Sequence, residues 1–358
     1  MNDQVVANPA SSSRPAVPIT PSKGSAYSRI LGTGSYRPSR IVTNAEVCEN
    51  IDSSDEWIRE RSGIIERRFA AEDESVVDMA VAAAAAALAN ANITPDQVGA
   101  VLVGTVTHPY QTPSAAAEIA ERLGTNGAGA VDLSAACAGF SYGVGLADGI
   151  VRSGVATYVV VIGVEKLSDF TSPHDRSTAF IFADGAGAAV IGPSDEVGIG
   201  PTVWGSDGSQ CDLIVLEPDW VTYRKQLEAN VDAETDVVIA FPSVHMQGQA
   251  VFRWAVGEVS KVARQALGAA GVTVDDLDAF IPHQANMRIT DAMVRTLGLP
   301  DHVAVARDIE TSGNTSAASI PLAMDRMLQS GEAKPGDLAL LIGFGAGLAY
   351  AAQVVRLP

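Results

Sequence analysis

Cysteine is scarce: the 358 residues hold three, Cys48, Cys137 and Cys211, an odd number set far apart. That excludes a disulfide-stapled scaffold and suits a reducing, cytoplasmic setting, where a special cysteine is chemical rather than structural. Positive charge is also short, 24 Lys and Arg against 42 Asp and Glu, for a formal net charge of −18. So acidic a chain is not built to neutralise nucleic-acid phosphates or to dock on an anionic membrane. Apolar runs such as Val98–Val106 and Tyr158–Val164 fall well below the roughly 20 residues of a membrane-spanning helix. Only five histidines occur, and no pair of His or Cys has metal-ligand spacing, so no metal is expected. Met1–Lys23, rich in Pro, Ser, Ala and Asn, has no basic start followed by an apolar run. It therefore fits neither a secretory signal nor an anchor, and residues 1–26 are read as a disordered polar tail.

What is present is a large apolar content, 47%, arranged twice over. Asn92–Leu102 (NITPDQVGAVL) aligns with Gly271–Ile281 (GVTVDDLDAFI) at an offset of 179 residues, each following an Ala-rich helix and entering a strand. Ser153-Gly154-Val155-Ala156 resembles Ser330-Gly331-Glu332-Ala333 at an offset of 177, and Val160–Gly163 resembles Leu340–Gly343 at 180. Strands are expected as continuous apolar runs at Ala100–Val106, Tyr158–Gly163, Gly187–Ile191, Leu338–Ile342 and Ala349–Val355, the pattern of a sheet covered on both faces. Helices are expected at Val76–Asn92 and Gly248–Ala270. The fold class is thus a layered α/β fold made by duplication, with an N-terminal half over 27–196 and a C-terminal half over 197–358.

Matched segments that differ in chemistry are where a duplicated fold places a site. Asp132–Ala138 (DLSAACA) corresponds to Asp308–Asn314 (DIETSGN) at an offset of 176, so Cys137 and Asn314 occupy near-equivalent strand-to-helix turns. A cysteine at a buried helix N-terminus gains thiolate character from the partial positive charge there, although taken alone Cys137 reads more readily as a small core residue, the usual fate of a free cysteine. His283 follows the predicted strand Ala279–Pro282 at the kind of strand end where α/β sheets hold ligands. Gly343-Phe344-Gly345-Ala346-Gly347 and Asp184-Gly185-Ala186-Gly187 lack the dinucleotide spacing. Their better use is exposed backbone N–H groups for an oxyanion.

These residues resemble the β-ketoacyl-acyl-carrier-protein synthase III family of the thiolase superfamily. The likeness runs from about Tyr27 to Pro358 and rests on SDEWI at 54–58, ACAGF at 136–140, FADGAGA at 182–188, PHQAN at 282–286, GNTS at 313–316 and GFGAG at 343–347. Thiolases would need a second catalytic cysteine, and elongating synthases a second histidine where Asn314 stands. The resemblance implies a thiolase-like duplicated αβαβα five-layer fold and an initiating decarboxylative Claisen condensation. An acyl group passes from acyl-CoA to Cys137, then joins malonyl-acyl-carrier-protein to give 3-oxoacyl-carrier-protein, CO₂ and coenzyme A. His283 and Asn314 would donate hydrogen bonds to the malonyl thioester carbonyl, and the backbone N–H groups of Cys137 and Ala346 would hold the oxyanion. No resident cofactor is implied, the coenzyme A thioester being a substrate.

By the same likeness, Trp57, Arg61, Arg176, Gly248, Phe252 and Asn286 would bind coenzyme A. Ser177 stands where many relatives have Gly, and would crowd the entrance slightly. Arg253, Arg288 and Arg295 would meet the carrier protein, with Asp291 beside them opposing that patch. Thr112, in a loop offered to a partner subunit of a homodimer, would close the acyl pocket and, being small, admit branched or longer acyl groups. Two alternatives stay open: a polyketide starter-unit synthase or acyltransferase of the same fold, and a non-catalytic carrier-protein-binding relative.

Overall fold

Alternation within the apolar runs decides how the layers stack. In the strand Tyr158–Lys166, Val159 and Val161 face one core while Val160, Ile162 and Val164 face another; in Leu338–Gly345, Ala339 and Leu341 join Val159 and Val161, whereas Leu340, Ile342 and Phe344 turn outward. Both strands are buried on both faces, as their unbroken hydrophobicity predicts. The computed structural model describes residues 18–232 and 238–358. Of the expected tail, residues 1–17 lie outside the described residues, and the backbone packs from Ser25, whose N–H donates to Val151 O.

Two five-stranded mixed sheets result. The first runs, edge to edge, Tyr27–Tyr36, Asp184–Ser194, Tyr158–Lys166, Val98–Gly104, Gly129–Leu133; the second runs Val203–Ser206, Ala349–Arg356, Leu338–Gly345, Ala279–Pro282, Ala304–Val305. In each, the three strands at one edge are parallel and the fourth is antiparallel to both its neighbours. Counted within its own half, each sheet has the same strand order, which is the duplication seen in sequence. The helices Gly139–Ser153 and Ser319–Ser330 lie between the sheets; Val76–Ala91 and Ala115–Leu123 cover the first sheet, and Ser260–Ala270 and Met287–Leu297 the second. Helix, sheet, helix, sheet, helix make the five layers of a duplicated thiolase-like fold. No helix among the described residues is long and apolar enough to cross a membrane.

The Ala-rich helix fits its place by size. Ala80, Ala83, Ala84 and Ala87 are fully buried, and the strand beneath offers glycines: a Cβ on Gly34 would stand 2.4 Å from Ala83 O and Ala87 N. The helix runs Val76–Ala91, opened by a Ser75–Asp78 capping box and closed by Asn92 at φ +53°. The long helix expected over Gly248–Ala270 is instead α from Gly248–Trp254, a π turn over Ala255–Val259, then α over Ser260–Ala270. The wider turn leaves Trp254, Ala255 and Val259 all buried. The repeat shows directly at Thr94 and Thr273, each capping a short 3₁₀ turn with reciprocal bonds to Gln97 and Asp276.

Candidate active site

Cys137 sits in the 3₁₀ turn Ala136–Ala138 between the strand Gly129–Leu133 and the inner helix Gly139–Ser153. Ala136 adopts φ +43°, and in the other half Ser316, at φ +48°, opens the matching turn Ser316–Ala318 before the helix Ser319–Ser330. The structural offset at this turn is therefore 180 residues, not 176, and the counterpart of Cys137 is Ala317; Asn314 enters just upstream. Burial of Phe140 and Val144 beneath the helix, about 1.5–3 kcal/mol each, fixes its start. From the opposite side, the end of Leu338–Gly345 presses on the cysteine: a Cβ on Gly345 would lie 2.8 Å from Cys137 Sγ, and one on Gly343 would lie 3.1 Å from Cys137 O. Glycine is required at both positions by this close approach, and Ala346 is the next residue along the same turn.

Two effects oppose each other at the Cys137 thiol. Burial pushes Cys137 up to about 12, outweighing the hydrogen bond from Ser316 that lowers it. Desolvation thus opposes the helix N-terminus at this sulfur. His283, at the end of Ala279–Pro282, is anchored by its N–H to Ile342 O at 2.8 Å. Its Nδ1 lies 2.7 Å from Ser319 Oγ, which also accepts the Gln284 N–H at 3.2 Å, and its ring stands edge-on to Phe344 at 5.2 Å. Burial alone pulls its pKa down to about 3, so the imidazole is neutral. Asn314 is held by backbone bonds to Ile181 and Ala183, each 2.9 Å. Its Oδ1 accepts the Ser316 N–H at 2.8 Å, which assigns the amide orientation.

One cavity of about 710 Å³ joins Cys137, His283 and Asn314 to Trp57, Arg61, Arg176, Gly248, Phe252 and Asn286. Arg176 lies over the Trp57 ring at 4.9 Å, with Arg61 over the same ring at 5.8 Å; Arg288 covers Phe252 at 5.4 Å. Asn286 is engaged at both ends of its amide, to Arg61 O at 2.9 Å and to the Arg288 N–H at 2.9 Å, so it ties the helix Asp55–Ser62 to Met287–Leu297. Ser177 bonds Asp175 through N–H and hydroxyl at 2.8 and 2.7 Å. Arg61, Arg176, Arg253 and Arg288 all line the cavity, no Asp or Glu does, and none of the four is ion-paired among the described residues. Arg295 is exposed and outside the lining, while Asp291 is occupied by Arg307 at 2.9 Å. Thr112 is also exposed and not brought to the cavity within one chain. Two residues escaped the sequence reading, Ser319 behind His283 and Glu165 beyond Ser316, whereas Ser316 enters it only as the last residue of GNTS and not for its bonds to Asn314 and Glu165. Glu165 left a trace as the charge that ends the apolar run Tyr158–Val164. Among the described residues no cluster of His, Cys, Asp and Glu could hold a metal ion.

Two family models match, "3-oxoacyl-(acyl-carrier-protein) synthase III" over 131–208 and its "C terminal" counterpart over 267–357. The chain is 59% identical over 340 residues to a "Beta-ketoacyl-(acyl-carrier-protein) synthase III 1" of Streptomyces coelicolor, covering 95% of this chain and 99% of the relative. It is 51% identical over 329 residues to the synthase III of Mycobacteroides abscessus, covering 92% and 94%. Among solved structures, a priming β-ketosynthase from a polyketide biosynthetic pathway superposes with TM-score 0.90 at 46% identity, covering 96% and 99%. The 3-oxoacyl-(acyl-carrier-protein) synthase III of Aquifex aeolicus gives 0.83 at 37%, covering 92% and 99%. With this cysteine, histidine and asparagine on one cavity floor, the chain belongs to the β-ketoacyl-acyl-carrier-protein synthase III family, the thiolase-fold condensing enzymes that initiate fatty-acid synthesis.

Proposed function

We propose that this chain takes an acyl group from acyl-CoA onto Cys137 and condenses it with malonyl-acyl-carrier-protein, releasing CO₂ and coenzyme A. The observation that carries this reading is one cavity lined by Cys137, His283 and Asn314 together with four arginines that make no ion pair among the described residues, and by no carboxylate. The thioester intermediate splits the reaction into two easier steps. In the second step the malonyl group loses CO₂ and its thioester carbonyl becomes an enolate, which neutral hydrogen-bond donors stabilise without protonating. A neutral His283 serves if its proton is on Nε2. Ser319 supports that tautomer: its oxygen accepts the Gln284 N–H, leaving its own proton for Nδ1. Asn314, its carbonyl end taken by Ser316, offers its NH₂ to the same oxygen. The N–H groups of Cys137 and Ala346 then hold the oxyanion as the carbanion attacks acyl-Cys137, a donor of this kind being worth a factor of about 10² or more.

Trp57, Arg61 and Arg176 suit the adenine and phosphates of coenzyme A, and Gly248, Phe252 and Asn286 its pantetheine arm; the coenzyme A thioester is substrate, with no resident cofactor. Arg253 and Arg288 at the rim, with Arg295 beyond them, suit an acidic carrier protein. The edge strand Gly129–Leu133 has Val131 exposed, and Val106 and Tyr110 are exposed in the loop before Thr112, features of a surface that a second copy would cover. A homodimer would bring Thr112 to the neighbouring acyl pocket. Free Cys48, Cys137 and Cys211 suit a cytoplasmic enzyme. Intact mass after mixing with acyl-CoA tests the nucleophile: one acyl adduct is expected on the wild type and none on Cys137→Ala. An adduct surviving in that variant would overturn the assignment. The likeness to a priming ketosynthase of a polyketide pathway favours a second reading, starter-unit synthesis. A panel of acyl-CoAs separates the two only together with a choice of carrier proteins, the cognate carrier being the one that supports CO₂ release.

A further inference from the structure

The segment that carries Asn314 is gripped on both sides by the loop that carries His283. Asn314 stands between the short helix Ile309–Ser312 and the inner helix Ser319–Ser330. After it, Ser319 Oγ meets His283 Nδ1 at 2.7 Å and accepts the Gln284 N–H. Before it, the Ile309 N–H donates to Gln284 Oε1 at 3.2 Å. The first N–H groups of a helix have no partner within it. Asp308, next to Ile309, would ordinarily cap this helix through its side chain, but its carboxylate is taken by Arg37 at 3.0 and 3.1 Å and by Arg326 at 3.7 Å, and it makes no cap. Gln284 caps the helix in its place. Its side chain is buried, and the other end of the amide donates to Pro282 O at 2.8 Å. A backbone N–H on one side and a carbonyl on the other assign the amide orientation. The groups it joins are themselves fixed: the His283 N–H is tied to Ile342 O, Ile309 is fully buried, and a Cβ on Gly313, at φ +68°, would stand 2.8 Å from Ala183 Cβ and 2.9 Å from Arg67 Cβ.

We infer that Gln284 is a positioning residue for the decarboxylative step, its side chain setting the gap between the His283 and Asn314 donors. The inference rests on those two residues acting together on the malonyl thioester, as proposed above. Two donors stabilise one enolate oxygen only if each stands about 2.7–3.1 Å from the place that oxygen takes, so the separation of the two side chains decides the rate. His283 hangs from the end of Ala279–Pro282, whereas the backbone of Asn314 bonds Ile181 and Ala183, in the other half of the chain. Gln284 and Ser319 are the bridges between them. Ser319 also sets the His283 tautomer, but Gln284 is not part of the cavity lining and acts through spacing alone. Among the described residues it shares no hydrogen bond with Cys137, so acyl transfer should not depend on it.

The test separates the two half-reactions of the full chain. CO₂ release from malonyl-acyl-carrier-protein is measured as kcat and KM, and single-turnover acylation of Cys137 by acetyl-CoA is measured alongside. Gln284→Met, close in volume but without either bond, should lower kcat for CO₂ release by about 10- to 10²-fold, the cost of misplacing a group by an ångström. Its KM and its acylation rate should stay within about threefold of wild type. Gln284→Asn, a neutral amide too short to span Pro282 O and the Ile309 N–H, should show a smaller loss of the same kind, and carries the test should the methionine variant misfold. In an Asn314→Ala background, Gln284→Met should cost less than about threefold more, because the gap it sets no longer has a second donor. CO₂ release at the wild-type kcat in both variants overturns the inference, as do parallel losses of CO₂ release and acylation, a rise in KM alone, or full additivity with Asn314→Ala. Wild-type CO₂ release by Asn314→Ala itself would instead sink the reading of the donor pair.

Discussion

At the residue scale the cavity floor works by exclusion. Gly345 is there because any side chain would occupy the space of the Cys137 sulfur. Gly345→Ala should therefore lower the thermal midpoint by several degrees, overpacking of this kind costing about 1–3 kcal/mol, and below that midpoint should lose acylation by acyl-CoA by more than about 10²-fold, the loss expected when reacting atoms are displaced by an ångström. Undiminished labelling of Cys137 in that variant would contradict the contact. Burial sets the behaviour of His283 in the same way. Its folded pKa of about 3 lies below its ordinary value of 6.5, so below pH 6.5 the unfolded chain binds a proton that the folded chain refuses. This contribution to stability is present above pH 6.5 and is lost as pH falls toward 3. A denaturation series over pH 4–7 comparing wild type with His283→Phe should show a shallower acid loss in the variant. In the same series decarboxylation should show no titration near 6.5 assignable to His283.

At the scale of elements, small residues set the spacing between layers. The helix Val76–Ala91 approaches the strand Tyr27–Tyr36 so closely that Gly34→Val must push it outward; overpacking of this kind costs about 1–3 kcal/mol. A fall of several degrees in thermal midpoint, with acylation of Cys137 retained below that midpoint, is the expected result, and an unchanged midpoint would mean that the layers are looser than drawn. The same packing explains what could be read from the sequence. Strands buried on both faces had to be continuous apolar runs, and Thr94 and Thr273 repeat a cap because they repeat a turn, so the duplication was legible. The 180-residue register at the nucleophile turn was not, because it is set by the left-handed conformations of Ala136 and Ser316, which neither residue type announces. The π turn after Trp254 and the anchor Ser319 were hidden for the same reason: both are consequences of tertiary contact. The raised pKa of Cys137 could not be foreseen from a helix N-terminus alone, since it is dominated by desolvation, which tertiary packing sets.

At the scale of the whole molecule, a net charge of −18 surrounds a cavity whose lining holds no carboxylate and four arginines that make no ion pair among the described residues. Uniform repulsion would keep an acidic carrier protein away, but the Debye length is about 8 Å at physiological ionic strength, so a docking protein feels Arg253 and Arg288 more than the distant acids. Two opposed terms follow. Lowering the salt lengthens the reach of the −18 background, whereas raising it screens the local arginines. The KM for malonyl-carrier-protein should accordingly pass through a minimum as salt is varied from about 10 mM to 1 M, where the screening length runs from about 30 Å to 3 Å. Arg253→Glu, at the exposed rim, should raise that KM several-fold at the minimum and move the minimum toward higher salt, because less local attraction then opposes the background. Little change in kcat is expected, since Arg253 is exposed to solvent and, among the described residues, makes no hydrogen bond with Cys137, His283 or Asn314. A KM that falls steadily with salt in both proteins would show that the background charge governs docking and that the arginines serve only the small substrate.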